Sequence, residues 1–250
     1  MPEGPEVRIM AEKLQKYLPR YYITKVTGEM AHQINIPFPR QIKGVTVKGK
    51  KLIFILDNDI YLVSSLGMTG HWDFQPAGHT RVTFYVVSGN NTGSVYYDDT
   101  RKFGSFDVYI GTQELINGLK NKVGPDLLGE NITYEQWRPI TLTASSKEIC
   151  QFLIDQKYFS GVGNEYRSEI AYHARLDPTR TIGSLNENEL MRLYNSSIIV
   201  LRDAYYKLRD RPNEYTAMVY EKIKDPHNNP IQTKTCKDKR KLYWVQGYQM

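Results

Sequence analysis

Two cysteines in 250 residues, Cys150 and Cys236, are too few and too irregularly placed for a disulfide framework, so a reducing compartment is expected. No stretch is apolar enough to span a bilayer. A signal peptide is missing as well: acidic Glu3 and Glu6 stand where a basic region and an apolar core would be needed. Neither an internal repeat nor a low-complexity tract is present. These absences exclude a disulfide-stapled secreted scaffold, a helical membrane protein and a solenoid. They imply an intracellular protein, in bacterial cytoplasm or nucleoid or in a eukaryotic nucleus, that is not secreted and keeps its N-terminal end.

What remains is ordinary globular material, with 40% hydrophobic and 24% charged residues. Lys and Arg (33) outnumber Asp and Glu (27), and the net charge of +6 favours an acidic partner. Charge alone raises nucleic acid only modestly, since many basic proteins simply have solvated faces. The length allows two modest domains.

Along the chain, Val7, Ala11, Leu14 and Leu18 recur at helical spacing between Pro5 and Pro19, which predicts a helix over 5–18. Strand-like segments follow at 41–47, 52–56, 61–63, 80–87 and 94–97, divided by turn clusters. One helix before many strands suggests a sandwich or barrel. Past Val123-Gly124-Pro125 the pattern turns helical. Ser145–Glu148 and Ser184–Glu187 read as capping boxes, the second opening a helix with a stripe from Leu190 to Leu208. The tail from Ile231 to Gln249 reads as a hairpin around Lys237-Asp238-Lys239.

The chemistry is expected at the N-terminus. Pro2 is small enough for Met1 to be removed, which exposes a secondary amine. An α-amine titrates near 8, against about 10.4 for a lysine side chain, so much of it is neutral at physiological pH. A neutral amine can attack C1′ of a deoxyribose and form a Schiff base. Glu3 can move protons at the ring oxygen and the leaving base, and Glu6, one helical turn on, can set the local charge. Pro-Glu alone is more often an ordinary helix start.

Met1-Pro2-Glu3-Gly4-Pro5-Glu6-Val7 resembles the start of the formamidopyrimidine-DNA glycosylase / endonuclease VIII family, and further matches in the family's order span nearly the whole chain. The resemblance implies that a lysine at a Gly-Lys step reaches the phosphate beside the lesion. Lys50, in Lys48-Gly49-Lys50-Lys51, is the best match, with Lys51 a one-residue alternative. The bland reading is a solvated edge lysine. Leu66–Gly70 and Asp98–Gly104 resemble two void-filling loops: flipping a nucleotide leaves a gap, and unstacking costs a few kcal/mol. There Met68 offers an apolar wedge, Phe103 a stacking plane and Arg101 donors for the stranded base; as ordinary residues, Met68 and Phe103 would be core. Lys157–Glu165 looks like the family's helix–two-turn–helix, in which Lys157, Gly163 and Asn164 would face a phosphate at a helix N-terminus. A generic helix-to-helix turn is the alternative.

The tail departs from the family's common pattern. Many relatives hold the hairpin with zinc between two cysteine pairs, but here His227 and Pro230 stand at the first pair and Val245 and Tyr248 at the second. One histidine cannot complete a tetrahedral site, so no metal is expected, and Leu242, Tyr243 and Trp244 should hold a zincless finger by apolar contact. Arg240 falls at the finger's phosphate-gripping arginine, among Lys234, Lys237, Lys239 and Lys241.

The expected architecture is α+β: an N-terminal helix plus antiparallel β-sandwich (1–122), a linker (123–132), a helical domain with the helix–two-turn–helix (133–222) and a zincless β-hairpin finger (223–250), with DNA in the cleft between domains. The resemblance implies a monomeric, cofactor-free bifunctional DNA glycosylase/AP lyase. It would act on double-stranded DNA with oxidised bases or abasic sites, single-stranded DNA being left open. Oxidised pyrimidines, formamidopyrimidines and hydantoins are favoured, because the span from Leu208 to Val219 is short for a loop that caps 8-oxoguanine; an 8-oxoguanine-preferring glycosylase is the alternative within the family. Outside it stand a non-catalytic damaged-DNA-binding protein and, least favoured, an RNA-binding module.

Overall fold

Helix α1 spans Gly4–Tyr17, one residue earlier at each end than the apolar spacing suggests, in a computed structural model that describes residues 1–120 and 122–250. Glu3 is its N-cap, and Leu18 closes it with an N–H donated to the Leu14 carbonyl. The chain divides into two compact units, Met1–Lys122 and Val123–Met250.

In the first unit the strands are β1 (Tyr22–Thr27), β2 (Arg40–Lys48), β3 (Lys51–Leu56), β4 (Ile60–Ser65), β5 (His71–Asp73), β6 (Thr80–Ser88), β7 (Asn91–Asp98) and β8 (Ser105–Ile110), followed by α2 (Thr112–Leu119). They form one antiparallel sheet in the order β5-β7-β6-β1-β2-β3-β4-β8. The joint between its halves is thin, since β1 pairs with β2 only at Tyr22–Gln41 and Ile23–Arg40. The halves meet face to face through aromatic side chains. Trp72 of β5 lies 5.0 Å from Phe54 of β3 and 5.9 Å from Phe106 of β8, and Tyr97 of β7 lies 5.0 Å from Phe106, ring centre to ring centre. The result is a sandwich made by one folded sheet.

The stripe Val7, Ala11, Leu14 and Leu18 joins this core, and burying four such side chains contributes about 1.5–3 kcal/mol for each large one. Polar contacts then fix the axial position of α1. The Gln15 side-chain oxygen accepts the Val45 N–H at 2.5 Å, and Lys13 pairs with Asp73 at 2.7 Å. The head of the helix is thereby set against the sandwich.

The second unit contains α3 (Tyr134–Leu142), α4 (Ile149–Ile154), α5 (Asn164–His173), α6 (Glu187–Asp210) and a hairpin of β9 (Gln232–Thr235) with β10 (Lys241–Trp244). Two sequence expectations shift here. Ser145–Glu148 is not a capping box, because Glu148 itself is the N-cap of α4. The box opening α6 is Asn186 with Glu189, two residues beyond the expected one. Five elements had no clear pattern: β1, β5, β8, α2 and α3.

Helix α5 is buried continuously from Tyr166 to Tyr172, including three polar residues. One of them, Glu169, accepts the N–H groups of Met218, Val219 and Tyr220 at 2.8–2.9 Å. Two more acceptors tie the tail. Asp225 accepts from the Tyr172 hydroxyl, the His227 and Asn229 amides and the Asn229 side chain at 2.8–3.0 Å. Gln249 accepts the Val245 N–H at 2.7 Å and donates to the Leu176 carbonyl at 2.9 Å.

Burial pushes the Asp225 carboxyl up, but the Asn229, Tyr172 and His227 donors outweigh it and hold it below the ordinary carboxylate value. Such a group contributes stability that is present above its unfolded value, about 3.9, and lost as pH falls through the lower folded one. In urea titrations across the acid range, the native chain should therefore lose stability more steeply below about pH 4 than Asp225→Asn does. Parallel curves would contradict this role for Asp225.

Candidate active site and DNA-contact residues

Pro2 and Glu3 sit at the head of α1, and the local sequence explains how they are held. Glu3 and Glu6 form a capping box in which the Glu3 N–H donates to Glu6 Oε2 at 3.0 Å. Pro5, in the first turn, gives up no hydrogen bond, because its missing N–H would be unsatisfied there anyway. Glu3 is 2% exposed while Pro2 is half-buried. A buried carboxylate is thus fixed next to Pro2, and Glu6 acts on it through the backbone.

Lys50 stands in the two-residue turn between β2 and β3, after Gly49 with a φ of 57°, the position at which a II′ hairpin turn takes glycine. Lys51, the alternative, begins β3 and donates to the Ser65 hydroxyl across the strand pair. Burial lowers its ammonium below the ordinary lysine value. Lys51 is therefore bonded within the sheet, and Lys50 lies in the turn.

The two loops expected to fill the void are joined by a residue the sequence reading did not single out. Asp99 is fully buried. It accepts from the Thr69 hydroxyl at 2.5 Å, the Arg101 N–H at 3.2 Å and the Gly104 N–H at 2.8 Å. Burial pushes its carboxyl up, yet these donors prevail and hold it below the usual value. Glycine is required on both sides of the joint. A Cβ on Gly104 would lie 1.8 Å from the Tyr97 hydroxyl, and one on Gly67 (φ +61°) 2.6 Å from the Phe103 carbonyl carbon.

On this support Phe103 is 58% exposed, with the Arg101 guanidinium 5.0 Å over its ring, and Met68 is half-buried. Phe103 is no core residue. An acid ahead of a turn and two glycines that recur with it were the available signals for Asp99.

In the second unit, Gly163 is the N-cap of α5 and Asn164 its first residue. The turn before them is tied by Gln156, which accepts the Gly161 N–H at 3.1 Å and donates to the Val162 carbonyl at 2.7 Å. Lys157 is exposed, with its ammonium 4.9 Å over the Tyr158 ring. Asn164 donates to the Lys241 carbonyl at 3.2 Å, which stitches α5 to the finger beside Arg240. The Arg240 guanidinium itself has no hydrogen-bond or ion-pair partner among the described residues.

The residues at the expected zinc positions do not fit that metal. Tyr248 stacks on Tyr172 at 4.9 Å, His227 lies 5.9 Å from Tyr248, and Val245 is buried in the same cluster. Among the described residues, no group of three or more His, Cys, Asp or Glu side chains is placed to hold a metal ion. Asp225 and Gln249 tie the two knuckles instead. Leu242 packs with Cys150, Cys236 and Trp244, and Tyr243 meets Tyr220 at 5.2 Å. The two thiols are buried 3.9 Å apart, away from the His227–Tyr248 cluster.

Residues 1–106 match the formamidopyrimidine-DNA glycosylase N-terminal domain, and residues 123–209 match the H2TH domain of the same enzymes. A formamidopyrimidine-DNA glycosylase of Deinococcus radiodurans is 32% identical over 208 residues, covering 78% of this chain and 72% of that protein. The chain belongs to the formamidopyrimidine-DNA glycosylase family. Its members are DNA glycosylases of base excision repair. The Thermus thermophilus enzyme is 34% identical over 208 residues, covering 82% of this chain and 76% of that one. Among solved structures, the Lactococcus lactis family member bound non-covalently to DNA with an abasic site superposes with a TM-score of 0.87 at 25% identity, covering 99% of each chain. No helix of the described residues is long and apolar enough to cross a membrane.

Proposed function

We propose that this chain is a bifunctional glycosylase/AP lyase whose nucleophile is the amine of Pro2, freed by removal of Met1. The observation that carries this reading is the capping box at the head of α1, which fixes the buried Glu3 carboxylate beside Pro2. The neutral amine attacks C1′ of a flipped nucleotide, and the bond to the damaged base breaks as Glu3 manages the proton at the ring oxygen. The amine loses its proton, the C1′–O4′ bond of the ring opens as O4′ takes a proton from Glu3, and the nitrogen lone pair forms an iminium at C1′. Loss of a C2′ proton then expels the 3′ phosphate, and a second elimination expels the 5′ phosphate. Glu6 is a positioning residue, acting through the Glu3 N–H.

Lys50 would grip the phosphate beside the lesion. The amides of Gly163 and Asn164, the Asn164 side chain, Lys157 and Arg240 would grip its neighbours. Met68, Arg101 and Phe103 would fill the gap left by the flipped nucleotide. Donation from charged or polar groups to phosphates needs no cofactor.

For the lesion, we favour oxidised pyrimidines, formamidopyrimidines and hydantoins. The support is the short path after α6: Glu169 holds Met218–Tyr220, and the Tyr215 hydroxyl donates to Glu165 at 2.6 Å, which leaves little chain to cap a base. A second reading, preference for 8-oxoguanine, draws on the Met68, Arg101 and Phe103 set and on a solved relative in complex with DNA containing carbocyclic 8-oxoguanine. Single-turnover excision of thymine glycol should outpace that of 8-oxoguanine in otherwise identical duplexes. The reverse order would replace the first reading with the second.

A further inference from the structure

We infer that Arg167 and Asp238 form a positioning device for Arg240, the residue proposed above to grip a phosphate, and the inference rests on that reading. Arg167 lies on α5 one turn after Asn164 and is fully buried. Its Nη1 donates to Asp238 Oδ2 at 2.9 Å, while its Nε and Nη2 have no hydrogen-bond partner among the described residues. Burying a guanidinium with so few of its five donors satisfied is costly, and an apolar side chain of similar volume would ordinarily serve a helix better. The cost is offset by what Arg167 holds, the Asp238 carboxylate.

Asp238 lies in the finger turn between β9 and β10, and both its oxygens are engaged. Oδ2 takes Arg167, and Oδ1 accepts the backbone N–H of Arg240 at 3.2 Å. The same turn is closed by the Cys236 N–H donating to the Arg240 carbonyl at 2.9 Å. Asn164, on the helix that carries Arg167, holds the next carbonyl, that of Lys241. One helix thus ties the backbone on either side of Arg240 at two points, and the guanidinium stands on a turn tethered at both. The role assigned to Asp238 and Arg167 is to act through Arg240.

A loss of positioning is separable from a loss of folding by the salt dependence of binding. A phosphate contact contributes roughly 0.9 to the slope of log K against log salt concentration. Asp238→Ala, Arg167→Leu, Arg240→Ala and the Asp238→Ala/Arg240→Ala double variant would be compared on a duplex carrying a tetrahydrofuran abasic analogue, with thermal melts to establish folding. Asp238→Ala and Arg167→Leu should each weaken binding on the order of ten-fold, as expected for one charge-assisted contact. Each should also lower the salt slope by about one, as Arg240→Ala does. The double variant should bind like Arg240→Ala alone, because the device has nothing left to position.

Full slope in folded Asp238→Ala and Arg167→Leu, beside a reduced slope in Arg240→Ala, would overturn the positioning role and leave the proposed function intact. An unchanged slope in Arg240→Ala would remove the phosphate-gripping role of Arg240, and the device with it.

Discussion

Glu3→Gln should bind an abasic-analogue duplex as tightly as the native chain and excise a lesion roughly 10²–10⁴-fold more slowly. Gln keeps a side-chain oxygen to face the Glu6 amide, so the capping box at the head of α1 survives the change. It loses the ability to donate and accept a proton at the sugar. The two effects separate cleanly, because Glu3 is only 2% exposed and offers no surface for a DNA phosphate. Single-turnover excision measures the chemistry, and titration with the analogue measures binding. An unchanged excision rate would remove Glu3 from the mechanism, and a parallel loss of affinity would assign it to binding.

Asp99→Ala should have the second large effect, on stability and on duplex substrates together. The change leaves the Thr69 hydroxyl and the amides of Arg101 and Gly104 without their acceptor. Each buried donor stranded in this way costs about 1–3 kcal/mol, so a loss of about 3 kcal/mol or more is expected in urea unfolding. The functional loss has a direction of its own. Met68, Arg101 and Phe103 stand on the two loops that Asp99 joins, and their proposed task exists only where a partner strand must be kept stacked. Excision from duplex DNA should therefore fall far more than excision of the same lesion from a single strand. Equal losses on both substrates would show that Asp99 serves stability alone.

Much of this fold was legible because its signals are local. The spacing of Val7, Ala11, Leu14 and Leu18 gave α1 to within a residue at each end, and β-branched runs marked β2, β3 and β6. What escaped was set by tertiary context. Strand β5 has three residues, His71–Asp73, and forms because Trp72 enters the aromatic core against Phe54 and Phe84. Helix α3 contains Pro139, which argues against a helix, although Thr133 and Gln136 supply a capping box at its start.

The candidate site was legible at its proposed contact points and opaque at their supports. Pro2, Glu3, Phe103 and Asn164 stand in motifs that can be read in a line. Asp99 offered only the weak signal of an acid ahead of a glycine-flanked turn, and its bond to Thr69 appears only in the fold, as does the pairing of Arg167 with Asp238, 71 residues away. The tail shows the same limit. Substitution of the zinc positions is visible residue by residue, whereas the hydrogen bonds of Asp225 and Gln249 that hold the knuckles appear only once the chain has folded.

The most direct test of the central claim is borohydride trapping on an oligonucleotide with an abasic site, comparing protein processed to a free Pro2 with protein whose N-terminus is blocked by a retained extension. The account predicts a covalent protein–DNA adduct with the free N-terminus and none with the blocked one, while both bind the duplex. Adducts of equal yield from the two proteins would place the nucleophile on another residue. No adduct from folded, correctly processed protein would contradict the lyase mechanism and leave a DNA-binding protein without this chemistry.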